Sequence, residues 1–394
     1  MLKEKLAKRM KAFPISGIRK VQAEAKELES QGQHIIHMEI GMPDFDTPEY
    51  IKKSCIQSIK DGHVFYTVGA GLLDLRKAIS KKLEKENHLI YSTDEIVVTI
   101  GLSAGIFTVY AALLDKEDEV LIPNPVYPPY LNIPHLLGAK TIDYSLLEIN
   151  NYQPDITEIE NKITKKTKAI VIISPNNPLG SILTYDSLQH IAQLAIQYNL
   201  IVITDEIYER ILFDKATHYS IASFPHMKER TLTLNGFSKA YSMTGWRLGY
   251  IAGPKEIMPD INKLHGHMNS CATTFVQDAA ITALTEEHDE VEKMVAAYQQ
   301  RKDYLVQNLN KIEGISCTNP QGAFYLFLNI KKLGMTSEEA ASYFLHTAHV
   351  ALVPGTVFGS NGAGYIRMSF ANSMKEIKTA CYRIQTAVEK LKNK

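Results

Sequence analysis

Cysteine is scarce in this chain of 394 residues, and the four present, Cys55, Cys271, Cys317 and Cys381, stand far apart. That spacing argues against a disulfide framework and offers neither a thiolate metal site nor a redox pair, which suits reduced thiols in a cytosol. An excess of one charge is missing too: 43 basic residues face 43 acidic ones, so nothing draws the chain to nucleic acid or an anionic membrane surface. No apolar run approaches the ~18 residues of a membrane span, and the Lys-rich opening, residues 1–13, lacks the apolar stretch of a signal peptide. A cytoplasmic protein is expected. The histidines supply no matched pair at metal-ligand spacing; His265 and His267 read as core or surface residues, and no metal is expected. Repeats and low-complexity tracts are also absent.

What is present is enough length for two domains, or one large and one small, with an ordinary 45% apolar share. A helix is predicted over 18–31, stopped at Gly32, followed by a short strand over 35–40. From there to about 285, β-rich runs alternate with helical stretches, the pattern of a parallel sheet with crossover helices. The clearest strands are 96–100, 119–122, 169–174, 200–204, 231–235 and 248–252. After a helical stretch over 288–310, residues 323–329 alternate like an antiparallel strand and a helix ends the chain. The expected division is an N-terminal arm contributing to a small domain (1–45), a large α/β domain (46–290) and a C-terminal α+β small domain (291–394).

Ligands of open α/β sheets bind beyond the carboxyl ends of the strands. Here those ends carry Gly101-Leu102-Ser103-Ala104-Gly105, Pro123-Asn124-Pro125-Val126-Tyr127, Ser174-Pro175-Asn176-Asn177-Pro178, Asp205-Glu206-Ile207-Tyr208, and Ser238-Lys239 with Arg247 downstream. Each alone has an ordinary explanation, since Gly and Pro make turns and an Asp after a strand caps a helix. Together they put a phosphate cradle, an aromatic face, two carboxylates, a phenol, an amine and a guanidinium on one rim. A lysine at a buried rim can lose its proton and attack a carbonyl. That chemistry needs an electron sink, which pyridoxal phosphate provides when a carboxylate such as Asp205 keeps its ring nitrogen protonated. Arg247 and the helix start at 101–104 would hold the phosphate.

The run Ser238-Lys239-Ala240-Tyr241-Ser242-Met243-Thr244-Gly245-Trp246-Arg247-Leu248-Gly249-Tyr250 resembles the lysine signature of the class I/II aminotransferases, the fold-type-I pyridoxal-phosphate enzymes related to aspartate aminotransferase, and the resemblance covers nearly the whole chain. It implies a large domain with a mostly parallel mixed sheet between helices, a smaller α+β domain, and a homodimer with shared sites. It also implies ping-pong transfer of an amino group from an L-amino acid to a 2-oxo acid such as 2-oxoglutarate, through pyridoxal and pyridoxamine phosphate. By the same resemblance Lys239 carries the cofactor as a Schiff base and moves the proton, and Asp205 pairs with the ring nitrogen. Tyr208 and Asn177 bond the phenolic oxygen, and Tyr127 stacks on the ring. Arg247, Ser238, Ser103 and the backbone at Ala104 hold the phosphate, with Tyr66 reaching in from the other subunit. Gly41, Asn177 and Arg367, the last within Tyr365-Ile366-Arg367-Met368-Ser369, take the substrate carboxylate.

Two departures stand out: Leu179 follows Asn177-Pro178 where relatives commonly carry Thr, and Ser103 stands where several aspartate-using relatives carry lysine. The donor therefore stays open among aspartate, alanine, aromatic and other apolar amino acids, with Ile15, Ser16, Gly17, Ile18 and Tyr127 as candidate pocket residues. A carbon-sulfur β-lyase on the same fold shares these motifs. A serine hydrolase is the rival of another class, because Gly101-Leu102-Ser103-Ala104-Gly105 matches a nucleophile elbow and Asp205 with His346 or His349 follows in triad order. That reading leaves Lys239, Arg247, Asn177 and Arg367 without a role.

Overall fold

The computed structural model describes residues 2–286 and 289–392. Its strands in chain order are β1 (Ile36–His37), β2 (Ile96–Thr99), β3 (Glu119–Asn124), β4 (Lys140–Ser145), β5 (Thr167–Ile173), β6 (Ile201–Asp205), β7 (Thr231–Gly236), β8 (Gly249–Ala252), β9 (Tyr325–Asn329), β10 (Val350–Ala351), β11 (Val353–Pro354) and β12 (Tyr365–Ser369). The second to eighth form one sheet in the order β2-β8-β7-β6-β5-β3-β4. From β7 to β4 all neighbours are parallel, whereas β8 runs antiparallel to both β7 and β2. A parallel return needs a crossover. Residues 237–248 hold no α-helix and carry the lysine loop instead, so the chain comes back antiparallel.

The near-continuous apolar runs follow from burial on both faces. In β5, Ala169, Val171 and Ile173 join a core with Ile106, Val109 and Tyr110 of the helix Gly101–Leu113. Ile170 and Ile172 point the other way, to Leu188 and Ile191 of the helix Tyr185–Gln197. Each such side chain contributes roughly 1.5–3 kcal/mol by leaving water. β4 was not among the clear runs of the sequence because it is an edge strand of mixed character, Lys-Thr-Ile-Asp-Tyr-Ser, paired on one side only.

A second sheet, β11-β12-β9, is antiparallel, and β1 pairs with β10. One core unites Ile36 and Met38 with Leu326, Leu328, Ile366, Met368, Ile377 and Ile384, so the segment near residue 36 packs with the C-terminal part of the chain. β9 is antiparallel as its alternation indicated, yet it is buried on both faces through Leu328. Leu326 and Leu328 enter that core, while Phe327 packs with the core of the large sheet. The helices Glu290–Leu309 and Met374–Lys392 cover the outer side. Residue 288, where the first of these was expected to begin, lies outside the described residues. The helix near the N-terminus runs Gly17–Ser30, with Ser16 capping the Arg19 N–H.

Candidate active site

Parallel strands end on one edge, and their register fixes which turns meet. Asp205 pairs with Ile173 on one side and Leu234 on the other, so the turns after β5, β6 and β7 lie side by side. Lys239 stands three residues beyond β7. Its Nζ donates to the Gly41 carbonyl at 2.5 Å and lies 5.7 Å from the ring centroids of both Tyr208 and Phe324. Burial pulls the Lys239 ammonium down to about 8; Arg367 and Arg247 act in the same sense and Asp205 opposes them. An amine that loses its proton near neutrality is a usable nucleophile and base.

Asp205 is 4% exposed. Its Oδ2 accepts from the Tyr130 hydroxyl at 2.8 Å and its Oδ1 from the Ile207 N–H at 3.1 Å. Burial nevertheless lifts the acid to about 6, against those hydrogen bonds and the Lys239 charge. A carboxyl held up by burial is stabilised as the anion once a cation sits against it. Tyr208, one turn further, exchanges a 2.7 Å hydrogen bond with Tyr325, a residue of β9.

The anion-binding end is shaped by backbone. Arg247 adopts a left-handed conformation, φ 53°, which a bulky residue enters at a cost of about 1–2 kcal/mol. Its guanidinium lies against Gly101, where a Cβ would come within 2.5 Å of Nη2, and Nη1 donates to the Thr244 carbonyl at 3.0 Å. Arg247 and Ser103 are exposed, Ala104 is half-buried, and both Ser103 and Ala104 belong to the first turn of the helix Gly101–Leu113. The N–H groups of such a turn are unused by the helix and favour an anion. Ser238 is buried beside Lys239. Tyr127, half-buried at the start of the helix Pro128–Leu137, bonds Ser103, and burial raises its phenol with Asp205 adding to the effect.

Arg367, in the middle strand of the small sheet, is 1% exposed. Nη1 donates to Asn177 Oδ1 at 3.1 Å and Nη2 to the Glu39 carbonyl, while Tyr325 and Phe358 sandwich the guanidinium at 4.7 and 4.8 Å. Its Nε has no partner among the described residues. Gly41 is needed here, since a Cβ would lie 2.2 Å from the Tyr325 hydroxyl.

Of the residues anticipated from sequence, Lys239, Asp205, Tyr208, Asn177, Tyr127, Ser103, Ala104, Ser238, Arg247, Gly41 and Arg367 therefore lie around one rim. Tyr66 is left outside by its own chain, 88% exposed beside the exposed Phe65 and Val68. The turn with Leu179 is intact: Gly180 N–H donates to the Asn176 carbonyl at 2.9 Å, and Leu179 fills the core. Tyr130, Tyr325, Phe358 and Glu39 were not anticipated. Tyr130 had a signal, lying three residues past Tyr127 and so on the same side of the helix that follows; the others come from distant segments with none. The hydrolase triad is not assembled, since Tyr130 and Ile207 occupy the Asp205 carboxylate and His346 pairs with Glu24 at 3.0 Å.

Beside this rim, Glu206, Glu209 and His218 bring metal-capable atoms within 4.8 Å of one another. Lys82 bonds Glu209, as do Asn87 and Asn235 at 2.6 Å, and His218 faces Glu206 at 3.3 Å. The protein's own cation thus meets the Glu209 charge.

Residues 33–384 match the family model described as aminotransferase class I and II. An aspartate aminotransferase of Musicola paradisiaca is 38% identical over 97% of this chain and 96% of its own length. An aromatic-amino-acid aminotransferase 2 of Thermococcus litoralis is 36% identical over 98% of this chain and 99% of its own. Among solved structures, an alanine aminotransferase from Pyrococcus furiosus superposes with a TM-score of 0.94 at 36% identity, covering 98% of this chain and all of that one.

Proposed function

The chain belongs to the class I and II aminotransferases and transfers amino groups, and we propose that it does so with pyridoxal 5'-phosphate carried on Lys239. The observation that carries this is a lysine amine and a buried carboxyl at or just beyond adjacent strand ends, where burial pulls the ammonium down to about 8 and lifts the acid to about 6. When bound, the cofactor supplies an electron sink for the substrate α-carbon. Asp205 would hold the proton on its ring nitrogen, positioned by Tyr130. Tyr208 and Asn177 would bond the phenolic oxygen and Tyr127 would cover the ring face. Arg247, Ser103, Ser238 and the Ala104 N–H would take the phosphate, in the space that Gly101 leaves by lacking a Cβ.

Lys239 Nζ accepts and returns the proton at the substrate α-carbon, a role that needs a neutral amine close to neutral pH. Arg367 takes the α-carboxylate of both amino acid and 2-oxo acid, with Gly41 and Asn177 beside it, and its buried Nε points to a further acceptor. Transfer then runs in two half-reactions, from an L-amino acid to a 2-oxo acid such as 2-oxoglutarate. Relatives named for aspartate, aromatic and alanine substrates leave the donor to a screen of single amino acids, and they favour transfer over carbon-sulfur elimination.

We divide the chain into a large domain (46–290) and a small one formed by 1–45 with 291–394, the site lying between them. The exposed Phe65, Tyr66 and Val68 fit a homodimer in which Tyr66 reaches the partner's phosphate, a state that sedimentation of the holoenzyme checks. No described helix is long and apolar enough to cross a membrane, and we place the enzyme in the cytoplasm. The decisive experiment is borohydride reduction of the yellow holoenzyme followed by peptide mass spectrometry. The adduct is expected on Lys239 and absent from Lys239→Ala; an adduct on another lysine would sink the assignment.

A further inference from the structure

Behind Arg367 lies a second row of charged groups. The Glu39 side chain is wholly buried, its Oε1 bonded to His37 Nδ1 at 2.8 Å and its Oε2 without a partner among the described residues. His37 is part-exposed, and its other nitrogen meets Glu29 at 3.1 Å, near the end of the helix Gly17–Ser30. The main-chain carbonyl of the same Glu39 accepts from Arg367 Nη2. Backbone bonds fix this segment: Met38 N–H donates to Ala351 at 3.1 Å, Ser369 N–H to Met38 at 2.7 Å, and Asn372 Nδ2 to the His37 carbonyl at 3.2 Å. From the C-terminal helix, Arg383 bonds the His34 and His349 carbonyls rather than the carboxylate. His37 and Arg367 are thus the cations set against Glu39 among the described residues.

A buried carboxylate with one hydrogen bond is costly unless its charge is met. Burial is the main influence on Arg367, opposed by the Tyr325, Tyr208 and Tyr127 phenols and then by the Glu39 charge, so an uncompensated Glu39 anion weakens the field that the guanidinium offers an incoming carboxylate. We infer that His37 is a positioning residue of the substrate-carboxylate site: as an imidazolium between Glu29 and Glu39 it neutralises the Glu39 charge, leaving Arg367 free to bind the α-carboxylate. The inference rests on the reading of Arg367 given above. The hydrogen bond to Glu39 is the main reason that His37 titrates at about 9, with burial opposing it and the Glu39 and Glu29 charges adding. Because that value is raised, the compensating charge is in place below it and is lost as pH climbs through about 9.

The test is calorimetric titration of the holoenzyme with 2-oxoglutarate and with 3-phenylpropionate, carboxylates that carry no ammonium of their own, between about pH 7 and about pH 10. Wild type is expected to lose affinity on the order of tenfold as pH passes the His37 value. His37→Gln should be weaker by a similar factor already at neutral pH, with a flat profile. Glu39→Gln should bind tightly and flatly throughout, and His37→Gln/Glu39→Gln should recover that behaviour, because the harm comes from the uncompensated charge and not from the missing ring. Any titration at the cofactor end is common to all four proteins, so flatness is judged against that shared background and their differences isolate the pair. A double variant as weak as His37→Gln, or a Glu39→Gln protein that keeps the high-pH loss, overturns the inference; the latter comparison stands even where His37→Gln fails to fold. Arg367→Gln separates the two layers. If it binds carboxylates as wild type does, the Arg367 reading falls and this inference with it; if it alone is weakened while the His37 and Glu39 variants match wild type, only this inference falls.

Discussion

The lysine end of the site is supplied by neighbouring strands of one sheet, whereas the carboxylate end draws residues 39, 41, 325, 358 and 367 from both ends of the chain. At the first end the register of β5, β6 and β7 fixes Asp205 and the start of the turn that carries Lys239, and single bonds to Tyr130 and Gly41 orient the two side chains. At the second, Arg367 is held by a side-chain amide, a main-chain carbonyl and two rings that meet only when the small sheet packs against the large one. On the proposed roles, the reaction's electronics belong to the strand-end side, the rigid end of the comparison, and recognition of what every amino acid and oxo acid shares belongs to the assembled end.

If that contrast is real, damage at the rigid end changes kcat and damage at the assembled end changes KM. Asp205→Asn is the largest expected effect: the fold and much of the cofactor affinity remain, while kcat falls by roughly a hundredfold to a thousandfold, since a neutral amide cannot hold a proton on the ring nitrogen. Steady-state turnover at saturating cofactor checks it, and near-normal kcat would make Asp205 a structural cap. Arg367→Lys comes next. An ammonium cannot reproduce two parallel bonds to a carboxylate, so KM for amino acid and oxo acid should rise together by roughly tenfold to a hundredfold, the cost of about 1.4–3 kcal/mol. Equal losses with simple amines as donors would refute carboxylate recognition.

The same contrast explains what could be read from the sequence. Asn177 and Arg247 stand beside prolines or glycines, and Asp205 and Lys239 are charged residues at or just past the ends of apolar strand runs, so local chemistry announces them. Arg367 was found only through the resemblance, because nothing within a few residues of it is unusual for a buried strand. Tyr325 lay inside a run correctly taken as antiparallel, yet its pairing with Tyr208 spans the two sheets and leaves no local trace. Glu39 drew no reading of its own within the expected strand over 35–40; its burial follows from packing against the C-terminal part of the chain, hundreds of residues later. The expected mixed sheet left open which strand reverses; it is β8, Gly-Tyr-Ile-Ala, antiparallel to both its neighbours, and the signal was the missing helix before it.

Tyr325→Phe sharpens the boundary between the ends, because its hydroxyl is where they touch. Removing it leaves the Tyr208 hydroxyl short of a partner and keeps the ring over Arg367. A lost neutral hydrogen bond of about 1 kcal/mol should lower kcat/KM by roughly fivefold, divided between kcat and KM. A change confined to KM would assign Tyr325 wholly to carboxylate binding.

The smallest effect expected concerns stability without the cofactor. Burial raises Asp205 from 3.8 to about 6, so the sign is the reverse of the usual surface carboxylate. The apoenzyme has the full benefit of the neutral acid below the ordinary value, and loses it as pH rises through the folded one, because the anion is better accommodated in the unfolded chain. A displacement of this size corresponds to about 3 kcal/mol at most, reduced in Asp205→Asn because an amide nitrogen then stands where Oδ2 accepts from the Tyr130 hydroxyl. Apo Asp205→Asn should therefore be more stable than apo wild type by about 1–2 kcal/mol at pH 8, and the two should converge near pH 4. Cofactor should reverse the order at pH 8, since a protonated ring nitrogen gives the wild-type anion its missing cation. Denaturant melts of both apoproteins across that range, with and without pyridoxal phosphate, measure it. If the apo wild type is the more stable protein at pH 8, Asp205 is not a strained acid awaiting a partner, and the rigid end owes its poise to Lys239 alone.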